Sequence, residues 1–224
     1  MQPGDRIKLS VQPNAVVGYG TTAPLTLKFI DSEKKLLVNQ VGFDSSQINT
    51  AVSAITIASH GFETGDKVYY DNTDLIASGL STGSYYVVKV DNDQFKLSET
   101  LYETNPVTEK VVSITGIGGS EHFIGLINPK IDVVKNSKLS FNLSDPSLVG
   151  YDLRFFYEKD FVNEFVSTSD NVGFNISGIG TAGIGTASLD ITFSNNIPGK
   201  LYYGLEKGGY ISTCLLYTSD AADE

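Results

Sequence analysis

Two histidines, His60 and His122, are the only imidazoles in this chain of 224 residues. Imidazole is the side chain most often used for acid–base and zinc chemistry at neutral pH, so these two positions are weighed first. They lie in different segments. Neither has a serine or cysteine nearby in nucleophile context, and no H-x-x-x-H pair exists. His60 sits in the turn Ser59-His60-Gly61, where a ring is expected to bond a loop backbone and pack on Phe62. His122 begins a strand beside Phe123. Gly178-Ile179-Gly180-Thr181-Ala182-Gly183 satisfies the spacing G-x-G-x-x-G. In a dinucleotide site those glycines bring a pyrophosphate against a helix N-terminus. Here the following residues lead into the alternating run Leu189-Asp190-Ile191-Thr192-Phe193, so the pattern predicts a loop between strands. Gly18-Tyr19-Gly20-Thr21, Gly116-Ile117-Gly118 and Gly183-Ile184-Gly185-Thr186 repeat the same turn. Asp71-Asn72-Thr73-Asp74 and Asp91-Asn92-Asp93 could offer oxygen ligands to calcium, but neither has the loop spacing with a trailing glutamate. They read as turns whose side chains bond their own backbone. No pair of acids is marked out for glycoside hydrolysis. No catalytic, cofactor-binding or metal-binding residue is assigned.

The elements that would position these residues are strands. Residues 5–11 and 25–30 alternate polar and apolar, the period of a half-buried strand. Residues 36–38, 54–57, 67–70, 85–90 and 94–98 follow, the last two as a hairpin around Asp91-Asn92-Asp93. Beyond them, strands are expected at 110–115, 122–127, 138–143, 152–157, 164–168, 173–176, 188–193 and 200–204. The best helix candidate is a single turn at 144–149. The fold class is therefore all-β, as small β modules in series, with a Greek-key β-sandwich at the C-terminal end. Expected boundaries are 1–50, the end of a truncated β-domain; 51–105, a small barrel-like module; 106–213, the sandwich; and 214–224, a tail. The pairs Tyr69-Tyr70, Tyr85-Tyr86 and Tyr202-Tyr203 should each send one ring inward and one outward, because neighbours on a strand face opposite sides.

Composition excludes some functions. With 16 basic and 26 acidic residues the formal charge is −10, a poor match for phosphate backbones. No nucleic-acid partner is expected. No apolar run approaches the ~18 residues of a membrane span. The single cysteine, Cys214, allows no internal disulfide.

The run Ile57-Ala58-Ser59-His60-Gly61-Phe62-Glu63-Thr64-Gly65-Asp66-Lys67-Val68-Tyr69-Tyr70 is answered by Gly83-Ser84-Tyr85-Tyr86-Val87-Val88-Lys89-Val90 and Asp91-Asn92-Asp93-Gln94-Phe95-Lys96-Leu97. It resembles a module of tail and structural proteins of marine tailed bacteriophages, including cyanophages. That module is itself similar to the first catalytic-cysteine half-domain of ubiquitin-activating enzymes, in shape rather than chemistry. Asn128-Pro129-Lys130-Ile131-Asp132-Val133, Phe141 to Tyr151 and Ile197-Pro198-Gly199-Lys200-Leu201-Tyr202-Tyr203-Gly204 lie in a region, 122–213, that resembles a cupredoxin-like domain. In copper-binding members a histidine follows the glycine matched by Gly150, where this chain has Tyr151. The cysteine, second histidine and methionine would fall in Gly204-Leu205-Glu206-Lys207-Gly208-Gly209-Tyr210, and all are missing. The resemblance thus implies a sandwich without copper. Residues 214–224 resemble translated sequencing adapter, which implies a natural chain that departs from this one after about Thr213. Removing them takes away three acids and no bases, leaving 16 − 23 = −7.

Together these resemblances imply a non-enzymatic component of a phage virion, in the tail, baseplate or tail fibre. It would act as a spacer and display scaffold. Its expected partners are other virion proteins and a host-surface glycan or protein, with oligomers allowed. The alternatives are an extracellular bacterial adhesin and, more weakly, a tail-borne glycan-degrading enzyme.

Overall fold

The computed structural model describes residues 24–101, 111–129, 131–134, 138–158, 162–165, 175–177, 182–192, 200–207 and 210–219. The strand expected at 5–11, the turn Gly18-Tyr19-Gly20-Thr21 and most of the G-x-G-x-x-G run, 178–181, lie outside them. The protein is all-β. Among the described residues, helical geometry is limited to the 3-10 turns Ser45–Gln47 and Pro146–Leu148. The chain divides into two compact units, with boundaries after Val38 and after Ile127.

The first unit, taken over its described residues, holds β1 (Leu25–Ile30) and the start of β2 (Lys35–Phe43). Its later strands are β9 (Ile131–Val134), β10 (Lys138–Asn142), β11 (Asp152–Phe156), β12 (Asn175–Ser177), β13 (Ser188–Thr192), β14 (Lys200–Lys207) and β15 (Tyr210–Ser219). One sheet runs β12-β13-β10-β1-β2 and the other β11-β14-β15-β9. β1 joins β10 in parallel, with Leu25 opposite Phe141, and β15 joins β9 in parallel. Alternation along β10 and β13 sends Leu139, Phe141, Leu189 and Ile191 inward, and their register sets Phe141 opposite Leu189. The Phe141 ring lies 6.3 Å from Phe155 and 6.1 Å from Tyr203, both on the other sheet. The inner faces of the two sheets thus meet on aromatic side chains, the arrangement of a β-sandwich. The turn expected at 144–149 forms at Pro146–Leu148. Asp145 caps it by accepting from Ser147 N at 2.9 Å, and proline occupies a first-turn position where no donor is needed. Ser147 Oγ in turn accepts from Phe29 N at 2.8 Å.

The second unit comprises, among described residues, Asn39–Ile127. It contains the end of β2, then β3 (Ile48–Asn49), β4 (Ala54–Thr56), β5 (Lys67–Asn72), β6 (Gly83–Lys89), β7 (Gln94–Ser98) and β8 (His122–Ile127). Their order is β2-β8-β5-β6-β7-β4-β3. Val68, Tyr70, Tyr85, Val87, Phe95, Leu97, Ile124 and Leu126 form its core, all under a tenth exposed. β5 pairs antiparallel with both β6 and β8, so Tyr70 is framed by Gly83 and Ile124.

The strand expected at 110–115 does not form as a ladder over its described part. Val111 makes an isolated bridge to Ser98, then Val112 N bonds Leu97 O at 2.8 Å. Ile114 N turns to Ser53 Oγ at 3.0 Å and Thr115 N to Ser78 O at 2.8 Å. The partners pass from the end of β7 to Ser53 and then Ser78, so the bridge is not extended into a ladder. Over the expected 164–168 strand, Glu164 likewise makes only an isolated bridge, to Phe156, and 166–168 lie outside the described residues.

Candidate functional site: the two buried histidines

The turn between β4 and β5 carries His60, 1% exposed. It folds onto the β6–β7 hairpin because residues at its start donate there: Ile57 N to Asp93 O at 2.8 Å, Ser59 N to Asp93 Oδ1 at 2.6 Å, and His60 N to Asn92 O at 3.2 Å. Ser59 and Gly61 take φ of 49° and 70°, left-handed values that let the chain reverse around the ring. Nε2 lies 3.1 Å from Asp91 O. A carbonyl only accepts, so Nε2 carries the proton. Nδ1 accepts from Phe62 N at 2.9 Å. The ring stacks on Phe62 at 5.4 Å and meets the edge of Phe95 at 5.0 Å. Burial lowers the His60 pKa from the usual 6.5, against the backbone bonds of Asp91 and Gln94, which raise it.

At the start of β8, His122 is fully buried. Its Nε2 faces two carbonyls, Gly119 O at 2.9 Å and Ile117 O at 3.1 Å, and so carries the proton. Nδ1 faces two donors, the Tyr70 hydroxyl at 2.8 Å and Asn72 Nδ2 at 2.9 Å. Asn72 is oriented by its other bonds: Nδ2 also donates to Glu121 O, and Oδ1 accepts from Asp74 N. Ala77 N approaches the Tyr70 oxygen at 3.5 Å. Burial raises the Tyr70 pKa above its ordinary value, so the phenol stays a donor. Phe43 stacks on the imidazole at 5.2 Å.

The two rings therefore do the same physical job. Each presents apolar faces to aromatic neighbours and settles backbone groups at its polar edges. Among the described residues, neither has a serine, cysteine or carboxylate hydrogen-bonded to a ring nitrogen. Of the acids beside them, Asp91 lies in the turn between β6 and β7, whereas Asp71 lies in strand β5, so the turn expected at 71–74 begins only at Thr73. Asp91 Oδ1 accepts from Asp93 N and Gln94 N, both at 2.8 Å, and Asp71 Oδ1 accepts from Asn72 N at 2.9 Å. Among the described residues no group of three or more His, Cys, Asp or Glu converges as metal ligands would.

Other expected positions resolve as follows. The Gly116-Ile117-Gly118 turn ends in a close backbone approach: a Cβ at Gly118 would run into the backbone of Leu75, Ile76 and Ala77. Of the G-x-G-x-x-G run, Ala182 and Gly183 are described, and Gly183 donates its amide to Leu143 O at 2.6 Å. Tyr151 donates its hydroxyl to Asp31 Oδ1 at 2.9 Å, with Lys207 Nζ over its ring at 4.8 Å. Cys214 lies in β15. The tyrosine rule fails once. Tyr85 and Tyr203 are buried and Tyr86 and Tyr202 half-buried, but Tyr69 and Tyr70 are both buried. β5 has strands on both sides and is covered on both faces at this point.

The sequence did not single out Arg154 of β11. Its guanidinium reaches Glu164 at 2.8 Å and Asp152 and Glu206 at 3.3 Å. The side-chain hydrogen bond to Glu164 raises its pKa further. Three carboxylates around one cation tie two strands and a following loop, an electrostatic clip rather than a reactive group.

Fold and site together define an all-β protein of two compact units, with both histidines buried and hydrogen-bonded at each ring nitrogen. No protein-family model matches the chain, and no curated protein matches it. Among the described residues, no helix is long and apolar enough to cross a membrane.

Proposed function

We propose that this chain is a structural component of a bacteriophage virion, in the tail, baseplate or tail fibre, where rigid β units set spacing and display loops. The observation that carries the non-enzymatic half of this reading is the commitment of all four imidazole nitrogens to hydrogen bonds inside the fold. The chain has no third histidine to take an acid–base role. The phage half rests on the resemblance of the 57–97 pattern. Over residues 122–213 the reading is a cupredoxin-like sandwich with Greek-key connections and no copper. Tyr151, at the first ligand position, uses its hydroxyl on Asp31, which fits a scaffold. Partners are other virion proteins and a host-surface glycan or protein.

The test is mass spectrometry of phage virions purified on a density gradient. Peptides of this chain should co-sediment with capsid proteins through successive gradients. Their recovery only in the non-particle fraction would overturn the virion assignment.

A further inference from the structure

Both histidines of the chain lie in the second unit, so the first has no imidazole to titrate. His60 is the better placed to act on its surroundings, because it holds down a short turn rather than a strand. Its Nδ1 lone pair is filled by Phe62 N–H at 2.9 Å, inside a cluster made by Phe62 and Phe95. A proton on Nδ1 would set one N–H against another and place a charge among aromatic groups that are 2% exposed or less. The ring cannot take that proton without leaving. Residues 59–62 can move while their flanks stay. On one side β4 is paired to β7. On the other, Gly65 N bonds Val87 O and Val87 N bonds Asp66 O, both at 2.9 Å.

We propose that His60 is an acid-operated latch: its protonation releases residues 59–62 from the 91–93 turn and uncovers Phe62, while the rest of the unit keeps its pairing. The charged groups nearby bracket the latch. From the hairpin, Lys89 opposes the imidazolium and Asp91 favours it. Glu63, next in the turn, is held by Lys89 Nζ at 2.7 Å and by Asp66, whose Oδ2 accepts from Glu63 N at 2.8 Å. Asp93 is engaged with Ser59 N at 2.6 Å. The burial that disfavours the charged ring sets the direction: closure is complete above the usual histidine value of 6.5 and is lost as pH falls below it.

The experiment follows amide exchange and imidazole carbon shifts by NMR on the intact chain from about pH 7.5 to about pH 5, with exchange corrected for its intrinsic pH dependence. Protection at His60 N and Phe62 N should fall by up to ~10-fold per pH unit, the limit for one linked proton, in step with the His60 ring. Amides of β5, β6 and β8 should keep theirs. His60→Phe, which keeps an aromatic ring on Phe62 and Phe95, should remove the pH step. Three results would each overturn the proposal: a ring that titrates with the turn amides still protected, a loss of protection spread over the whole unit, or a pH step that survives in His60→Phe. The wild-type measurement decides the first two even where the variant fails to fold.

Discussion

Replacing His122 with phenylalanine tests whether this ring is a structural group. His122→Phe keeps a ring against Phe43 and Tyr70, whose centroids lie 5.2 and 5.9 Å from the imidazole. It removes both nitrogens. The Tyr70 hydroxyl, on a side chain with 0% exposure, then has no acceptor at 2.8 Å, which costs ~1–3 kcal/mol. Asn72 still donates to Glu121 O at 2.8 Å and loses little. The carbonyls of Ile117 and Gly119 lose their donor. The sum is about 2–4 kcal/mol. Tyr70→Phe alone should cost about 1 kcal/mol, because His122 Nδ1 keeps Asn72 Nδ2 at 2.9 Å. In the double variant no orphaned hydroxyl remains. It should therefore be more stable than the sum of the single losses by ~1–2 kcal/mol, well outside the ~0.5 kcal/mol scatter of independent sites. The chain has 12 tyrosines and no tryptophan, so urea unfolding is followed by tyrosine fluorescence and far-ultraviolet circular dichroism at constant m-value. Additive losses, or a His122→Phe protein as stable as wild type, would refute the network.

Further outcomes follow from particular contacts. Gly79→Ala should cost more than Gly185→Ala by at least ~1 kcal/mol in chemical unfolding: both have positive φ, but a Cβ at Gly79 would meet Ser113 O at 2.0 Å and one at Gly185 meets nothing within 4 Å. Phe141→Ala should remove about 3–5 kcal/mol from the first unit, since the fully buried ring bridges both sheets. Asp190 is held below the usual 3.8, first by the hydrogen bond from Lys138 and then by that from Ser140. Its stabilising contribution is therefore present above pH 3.8 and lost as pH falls through its folded value. Lys138→Ala should bring the carboxyl titration, read by NMR, back toward 3.8, with under ~1 kcal/mol lost at neutral pH because Lys138 is half exposed.

Alternation was legible wherever a strand has one wet face. The runs around Leu139 and Leu189 and the hairpin from Tyr85 to Leu97 form where the period of two predicts them. Partner choice was not legible. Leu25 lies opposite Phe141 in a parallel pair, and no local turn encodes a pairing across that separation. The same limit hid the β5–β8 pairing, which brings Asn72 to His122 and creates the Tyr70 site. Val111, Val112, Ile114 and Thr115 turn in succession to Ser98, Leu97, Ser53 and Ser78, something no period can announce. Arg154 was invisible for a related reason. Its carboxylates stand at 152, 164 and 206, and only the fold gathers them.

The histidines show why residue type alone is a weak guide to chemistry. A reactive imidazole needs one nitrogen open to a substrate, held by a partner on the other. In this chain each ring closes on both sides, and the closing groups are mostly backbone: Asp91 O and Phe62 N around His60, Ile117 O and Gly119 O behind His122. The two roles predict opposite responses to substitution. A catalytic side chain is commonly held at some cost to the fold, so removing it is often neutral or stabilising. A ring that settles buried donors and acceptors cannot be removed without stranding them. The sign of the stability change at His60 and His122 therefore separates a structural imidazole from a reactive one before any substrate is known.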